Sequence, residues 1–155
     1  MAEPHKINPQ SLSDYLDVMS KTTFQSGISW KVVDAKWPST QEAFHGFNPE
    51  IVAEFAEPEL DQLTNDTRVI RNRRKLEAVV ANARRMLELE REHGSFRNYL
   101  RSHGGFDQTA ADLKKQFKFM GEHGTYYFMY VVGEEVPDYG EWSAARGLTP
   151  KAPKS

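Results

Sequence analysis

Residues 68–94, RVIRNRRKLEAVVANARRMLELEREHG, contain the strongest helical signal in the chain. Apolar side chains recur there every three or four positions, which is the period of one face of an α-helix. They are Leu76, Val79, Val80, Ala83 and Leu87. The predicted helix begins near Asn72 or Arg73 and stops before His93-Gly94, because glycine commonly ends a helix. We expect this helix to form the centre of the core.

Size and composition predict one domain. A chain of 155 residues that is 39% hydrophobic can bury a substantial core. We place the domain at residues 1–136. We expect residues 137–155 to form a loosely ordered tail, because three prolines and two glycines interrupt it, although Tyr139 and Trp142 could dock on the domain. The chain has no cysteine, and no apolar run approaches the roughly 20 residues of a membrane span.

Periodicity elsewhere is also helical, so we predict an all-α fold, a compact bundle of short helices. A helix at residues 28–35 is predicted to end before Trp37-Pro38, because the residue preceding a proline disfavours the helical region. A further short helix at residues 40–45 is closed by Gly46. Asn48-Pro49 and Glu57-Pro58 open two more, since proline is well suited to the first helical turn.

The connection that precedes the long helix carries five positive charges in eight positions. We predict that six of its residues contact a phosphate backbone: Arg68, Arg71, Asn72, Arg73, Arg74 and Lys75. The positive end of the following helix would strengthen such contacts. The alternative is a solvated surface that nearby acidic residues neutralise. Val69 and Ile70 favour phosphate binding, because two buried apolar anchors would hold the charges on one exposed side.

A second segment, Phe24-Gln25-Ser26-Gly27-Ile28-Ser29-Trp30, combines aromatic rings with small polar groups. Such a combination can stack and read a nucleobase that has been rotated out of a duplex. The predicted base-binding pocket consists of Phe24, Gln25, Ser29, Trp30 and Tyr126. The alternative is that these rings simply pack in the core. The five histidines match no metal-binding spacing, and no catalytic motif of a known nucleophile is present.

Several motifs occur together in the order and spacing of one family. They are Gln25-Ser26-Gly27-Ile28-Ser29-Trp30, resembling Q-A-G-L-S-W; residues 43–49, resembling C-F-H-x-F-D-P; residues 69–76, resembling I-I-R-H-R-x-K-I; residues 81–84, resembling G-N-A-R; and residues 117–129, resembling F-K-F-V-G…Y-x-F-M. This chain therefore resembles the DNA-3-methyladenine glycosylase I family of the helix-hairpin-helix superfamily, over residues 10–133. The resemblance implies a helical bundle whose cleft receives a flipped alkylated adenine and whose hairpin grips the DNA backbone.

The chain departs from that family at its pocket. The position of the family's base-contacting glutamate, eight residues before the tryptophan, is Thr22 here, so the catalytic candidates are Thr22 and Gln25. The family's C-terminal zinc ligands fall near Asp138 and Trp142, and its N-terminal ligands and pocket tyrosine have no counterpart. We therefore expect no metal and no cofactor. Two hairpin positions that are glycine in the relatives carry Arg68 and Arg74.

Two functions are compatible with these residues. The first is a monofunctional N-glycosylase that hydrolyses the N-glycosidic bond of alkylated purines such as 3-methyladenine in double-stranded DNA. The second is a catalytically inactive descendant that binds DNA or a protein. Since the net charge is −2, DNA contact must come from a local patch. We expect a monomeric, cytoplasmic protein without membrane contact, associated at most with the bacterial nucleoid.

Overall fold

The computed structural model describes residues 5–147, and all the regular secondary structure within them is helical. One turn of 3₁₀-helix, His45–Phe47, lies between the second and third α-helices. The α-helices of this range are α1 (Leu12–Gln25), α2 (Trp30–Ala43), α3 (Pro49–Val52), α4 (Glu57–Thr64), α5 (Arg73–His93), α6 (Phe96–Leu100), α7 (Phe106–Gln116), α8 (Glu122–Val131) and α9 (Tyr139–Ala145). The prediction of an all-α fold is confirmed. No helix in the described range is both long and apolar enough to cross a membrane.

The long helix α5 is the centre of the bundle, as its apolar period predicted. It packs against α1, α3, α4 and α6. Asn72 caps its first turn by accepting the backbone N–H of Lys75 at 3.2 Å, and Gly94 ends it with a φ of 85°. One member of the predicted apolar face differs, because Leu87 is only half-buried while Met86 and Leu89 are buried.

Helix α2 is longer than predicted, because it runs through Pro38 to Ala43 and merges the two predicted helices. The bias of a pre-proline residue away from helical geometry is overcome by packing around Trp37. The ring of Trp37 is stacked on Phe47 at 5.2 Å, and its indole N–H donates to Asp17 at 2.9 Å. The predicted break at Gly46 is present, since Gly46 has a φ of 67°.

A group of buried rings packs beside α5 and supports the first half of the chain. We call it the main aromatic core. Phe44 lies at its centre, 5.0 Å from the ring of Phe47 and 6.1 Å from that of Phe55. Its members are Phe24, Trp37, Phe44, Phe47 and Phe55.

The segment after residue 136 corrects the expectation of a loosely ordered tail. Residues Tyr139–Ala145 form α9, and only 3% of the surface of Trp142 is exposed. The possibility that Tyr139 and Trp142 dock on the domain is the one realised. Proline and glycine content indicated disorder here, but the burial of large rings outweighs the entropy of ordering a short helix. The rest of the predicted tail, residues 148–155, lies outside the described range.

Candidate functional site

The turn between α1 and α2 places Trp30 at the surface of the bundle. Helix α1 ends at Gln25, and Gly27 takes a φ of 79°, a left-handed conformation that glycine adopts easily. Ser29 is exposed and directly precedes α2. Trp30, the first residue of α2, is half-buried and meets the ring of Tyr127 edge-on at 5.6 Å.

Behind Trp30 lies a second group of rings, separate from the main aromatic core. Tyr126 and Trp142 lie 4.5 Å apart, and Tyr127 and Tyr139 are stacked at 5.8 Å. The hydroxyl of Tyr126 donates to the carbonyl of Pro137 at 2.6 Å, which ties α8 to the segment leading into α9. We call Trp30, Tyr126, Tyr127, Tyr139 and Trp142 the second aromatic cluster.

The predicted pocket residues separate into two groups in the structure. Trp30 and Tyr126 belong to the second aromatic cluster, and Gln25 and Ser29 border the turn beside Trp30. Phe24, in contrast, is only 1% exposed and packs against Trp37 of the main aromatic core at 6.1 Å. Phe24 is therefore a core residue, as the alternative reading of this segment predicted, and it does not line a pocket.

Thr22 is also buried within the bundle. Its hydroxyl donates to the carbonyl of Met19 at 2.7 Å, and the sulfur of Met120 lies at 3.7 Å. Gly124 of α8 packs against Thr22. A Cβ atom placed on Gly124 would lie 3.8 Å from the Cβ of Thr22, which is an ordinary van der Waals distance. Thr22 thus lies in the contact between α1 and α8. Its neutral hydroxyl is at the position that the family resemblance aligns with a glutamate carboxylate.

Lys75 is a buried cation that joins the basic connection to the turn before Trp30. Only 5% of Lys75 is exposed, and its ammonium donates to the carbonyls of Phe24, at 3.2 Å, and Ser26. These carbonyls end α1, so the positive charge lies where the helix dipole is negative. Desolvation lowers the pKa of Lys75. Lys75 therefore fixes the turn and does not extend into solvent.

Two arginines of the basic connection are already paired with carboxylates. Arg73 lies 2.6 Å from Asp61, 2.7 Å from Glu57 and 3.1 Å from Glu77. These hydrogen bonds, to Asp61 above all, raise the pKa of the Arg73 guanidinium. Arg68 lies 2.8 Å from Asp66 and 3.2 Å from Glu42.

The Arg68 side chain donates a hydrogen bond to the Asp66 carboxylate, and this bond lowers the pKa of Asp66. Paired charges attract phosphate weakly, because a carboxylate of opposite sign lies beside each one.

The remaining cations of the connection point outward. Arg71 and Arg74 are exposed, and neither forms a salt bridge with any residue in the range 5–147. Val69 is buried and Ile70 is half-buried against the core, so the predicted apolar anchors are present. Of the six predicted phosphate contacts, Asn72 serves as a helix cap, Lys75 is buried and two are paired. Arg71 and Arg74 are the two that are available.

No sequence motif marks Tyr127, Tyr139 and Trp142 as parts of one site. A periodic signal for part of it exists, because His123, Tyr126, Tyr127 and Tyr130 follow the i, i+3, i+4, i+7 spacing of one helical face. The imidazole of His123 lies 2.9 Å from the hydroxyl of Tyr139. This face of α8, with the rings of α9, forms the second aromatic cluster, whereas Phe128 faces the main core.

The residues near α9 do not fit a zinc ion. Within residues 5–147 no group of three or more His, Cys, Asp or Glu side chains is placed to hold a metal. Asp138 caps α9 by accepting the backbone N–H of Glu141 at 3.1 Å, and Trp142 is packed among rings. An indole offers no ligand atom to zinc. Ring packing holds α9 against α8 at the position where the resembling family has ligands.

Taken together, these features define an all-helical protein in which a half-buried tryptophan and a cluster of rings lie near the basic connection between α4 and α5. The chain belongs to the methyladenine glycosylase family, whose pattern matches residues 12–113. It is 32% identical to the DNA-3-methyladenine glycosylase of Haemophilus influenzae, with 70% of each chain covered. It is 30% identical to DNA-3-methyladenine glycosylase 1 of Escherichia coli, again with 70% of each chain covered.

The fold agrees with this membership. The structure of 3-methyladenine DNA glycosylase I from Staphylococcus aureus, solved to explain 3-methyladenine recognition, matches this chain with a TM-score of 0.73. That match covers 84% of this chain and 80% of the other at 25% sequence identity. The described bundle is therefore the fold of the family.

Proposed function

We propose that this protein is a DNA-3-methyladenine glycosylase that hydrolyses the N-glycosidic bond of alkylated purines in double-stranded DNA. Family membership and the similarity to two glycosylases support this function. The observation that carries it to this chain is the position of Trp30. A large ring that is half-buried beside other rings, and bordered by Gln25 and Ser29, suits the stacking and reading of an extruded base.

The leaving group in this reaction needs little activation by the protein. An adenine methylated at N3 is cationic while attached to the sugar, so it departs without prior protonation. The protein must mainly hold the base out of the duplex and admit water to the sugar. In this proposal Trp30 stacks the base and Gln25 supplies polar contact, while buried Thr22 acts by positioning α1 against α8.

We further propose that α4, the connection at residues 65–72 and α5 form a helix-hairpin-helix element that holds the DNA backbone. The exposed Arg71 and the N-terminus of α5 face outward on this element, and backbone N–H groups near a helix N-terminus attract phosphate. A monomer acting on DNA in the cytoplasm is the assembly and location that fit this proposal.

The experiment is the release of free methylated purines from methylated duplex DNA by the purified protein. We expect the wild type to release 3-methyladenine, and Trp30→Ala to reduce the rate by about 5- to 150-fold, because stacking on an aromatic ring contributes about 1–3 kcal/mol per base. Ile51→Ala, which removes an exposed apolar side chain from α3, serves as the control and keeps the rate.

The alternative function gives a different result. An inactive binding module would bind duplex DNA but release no base, with or without Trp30. That outcome would reject the glycosylase proposal.

A further inference from the structure

A groove of about 370 Å³ lies between the first turn of α5 and the segment that joins α7 to α8. Its lining residues are Arg74, Lys115, Gln116, Phe117, Lys118 and Phe119. Arg74, Lys115 and Lys118 are exposed, and none of them forms a salt bridge within the described part of the chain. The neighbouring Lys114, in contrast, is paired with Glu122. Three unneutralised cations therefore share one groove in a protein whose net charge is −2.

The groove has a fixed wall. Asn82 of α5 is 2% exposed and holds the segment at Lys118 with two hydrogen bonds. The backbone N–H of Lys118 donates to its Oδ1 at 2.8 Å, and its Nδ2 donates to the Lys118 carbonyl at 3.2 Å. These bonds hold the backbone of Lys118 in one position relative to α5.

The next residue, Phe119, has a φ of 58°, a left-handed conformation that non-glycine residues keep only where the surrounding structure imposes it. Its ring lies 6.0 Å from the guanidinium of Arg74.

Open shape and the arrangement of charge indicate the occupant. The groove is lined by lysines on its rim and contains no buried polar side chain that would select a small ligand. Exposed cations without carboxylate partners attract a polyanion by releasing its counterions, and such binding tolerates an open surface. Arg74 belongs both to the groove and to the basic connection, so the groove is continuous with that connection.

We propose that the groove formed by Arg74, Lys115 and Lys118 is a second phosphate-contact surface, which extends the DNA footprint from the α4–α5 connection to the α7–α8 segment. This inference rests on the proposed function, because it takes duplex DNA as the ligand. It shifts the backbone contacts away from Arg68 and Arg73, whose charges are neutralised, toward residues outside the hairpin.

The test measures binding of an undamaged duplex as a function of salt concentration for Lys115→Ala, Lys118→Ala and the double variant. Each lost phosphate contact lowers the slope of log K against log salt by about 0.9. The double variant should therefore lose about 1.8 in slope, and each single contact should weaken binding about tenfold at 0.1 M salt. Lys118→Arg, which keeps the charge, should restore the slope.

Arg91→Ala provides the matched control. It removes one exposed arginine from α5 itself, about 26 Å from Arg74 at 1.5 Å per helical residue. Its slope should equal that of the wild type. An unchanged slope in the double lysine variant, or an equal loss in Arg91→Ala, would overturn the inference.

Base release by the same proteins separates this inference from the proposed function. At saturating methylated DNA the double variant should keep the release rate of the wild type, with a higher half-saturating DNA concentration. Wild-type protein that binds duplex with the predicted slope but releases no base would reject the glycosylase and leave the groove in place. Wild-type protein that releases base while the lysine variants bind normally would reject the groove alone.

Discussion

The two groups of aromatic rings in this protein differ in chemistry and in position. The main aromatic core is formed by four phenylalanines and Trp37, all buried, with Trp37, Phe44 and Phe47 stacked in nearly parallel planes. The second aromatic cluster is formed by tyrosines and tryptophans, of which Tyr126, Tyr127 and Trp142 are buried, while Trp30 and Tyr139 are half-buried at the boundary with solvent. Rings with a polar atom suit a place that is apolar on one side and wet on the other. The first group maintains the fold, and in the proposed function the second provides the surface that contacts the base.

The basic connection divides in the same manner. Arg68 and Arg73 are paired with carboxylates, and Lys75 is buried against the end of α1. Arg71 and Arg74 remain exposed. Charge density alone did not separate these roles, because all five cations lie within eight residues. The comparison can be tested by removing one member of each kind.

The largest effect is expected in the main aromatic core. Phe44 is fully buried, and truncation of such a ring leaves a cavity, so Phe44→Ala should lower the free energy of unfolding by about 3–5 kcal/mol. Urea denaturation followed by circular dichroism measures this change. Trp30→Ala should cost clearly less stability, because half-exposed Trp30 loses less buried surface. Equal losses for the two variants would contradict the assignment of the rings to different roles.

A smaller loss is expected where the second aromatic cluster holds α9. Trp142→Ala should lower the free energy of unfolding by about 3 kcal/mol, since the ring is buried but two of its neighbours, His123 and Tyr139, are only half-buried. Trp142→Phe keeps a ring against Tyr126 and should cost about half as much or less. Thermal unfolding of both variants gives the answer, and identical losses would show that the rings do not hold α9.

Lys75 belongs to the basic connection but is buried, so its charge stabilises the fold and is not exposed to a ligand. Lys75→Met keeps the volume but removes the hydrogen bonds to the carbonyls of Phe24 and Ser26, so stability should fall by about 1.5–3 kcal/mol. Arg74→Met, at the exposed neighbouring position, should leave stability nearly unchanged. If Lys75→Met unfolds at the same urea concentration as the wild type, the buried ammonium does not stabilise the turn.

The smallest effects separate paired from exposed arginines. Arg71→Gln should lower the salt slope of DNA binding by about 0.9, the value for one phosphate contact. Arg73→Gln should leave the slope unchanged, because its guanidinium is engaged by Asp61, Glu57 and Glu77. Fluorescence anisotropy of a labelled duplex across a salt series measures both. A slope that falls for Arg73→Gln and not for Arg71→Gln would reverse the roles assigned to them.

Much of the fold could be predicted from local signals. The cap at Asn72, the stop at Gly94 and the proline-opened helices at residues 49 and 57 are all present, because these signals act within one or two turns of chain. The end of α2 could not be predicted, since packing of Trp37 on Phe47 overrides the local bias of Pro38. The choice between a loose tail and a docked α9 could not be made for the same reason, because the contacts of α9 are with distant rings of α8.

The candidate site shows the same limit. The sequence by itself determined the helical class, the family motifs and the concentration of charge before α5, and it made Trp30 a candidate for the pocket. Only the tertiary structure decided that Phe24 and Thr22 are buried, that Lys75 points inward, and that Lys115 and Lys118 share a groove with Arg74. The physical reason is that helix formation depends on neighbours three or four residues apart. Burial and ion pairing depend on residues far away in the chain, which no local pattern brings together.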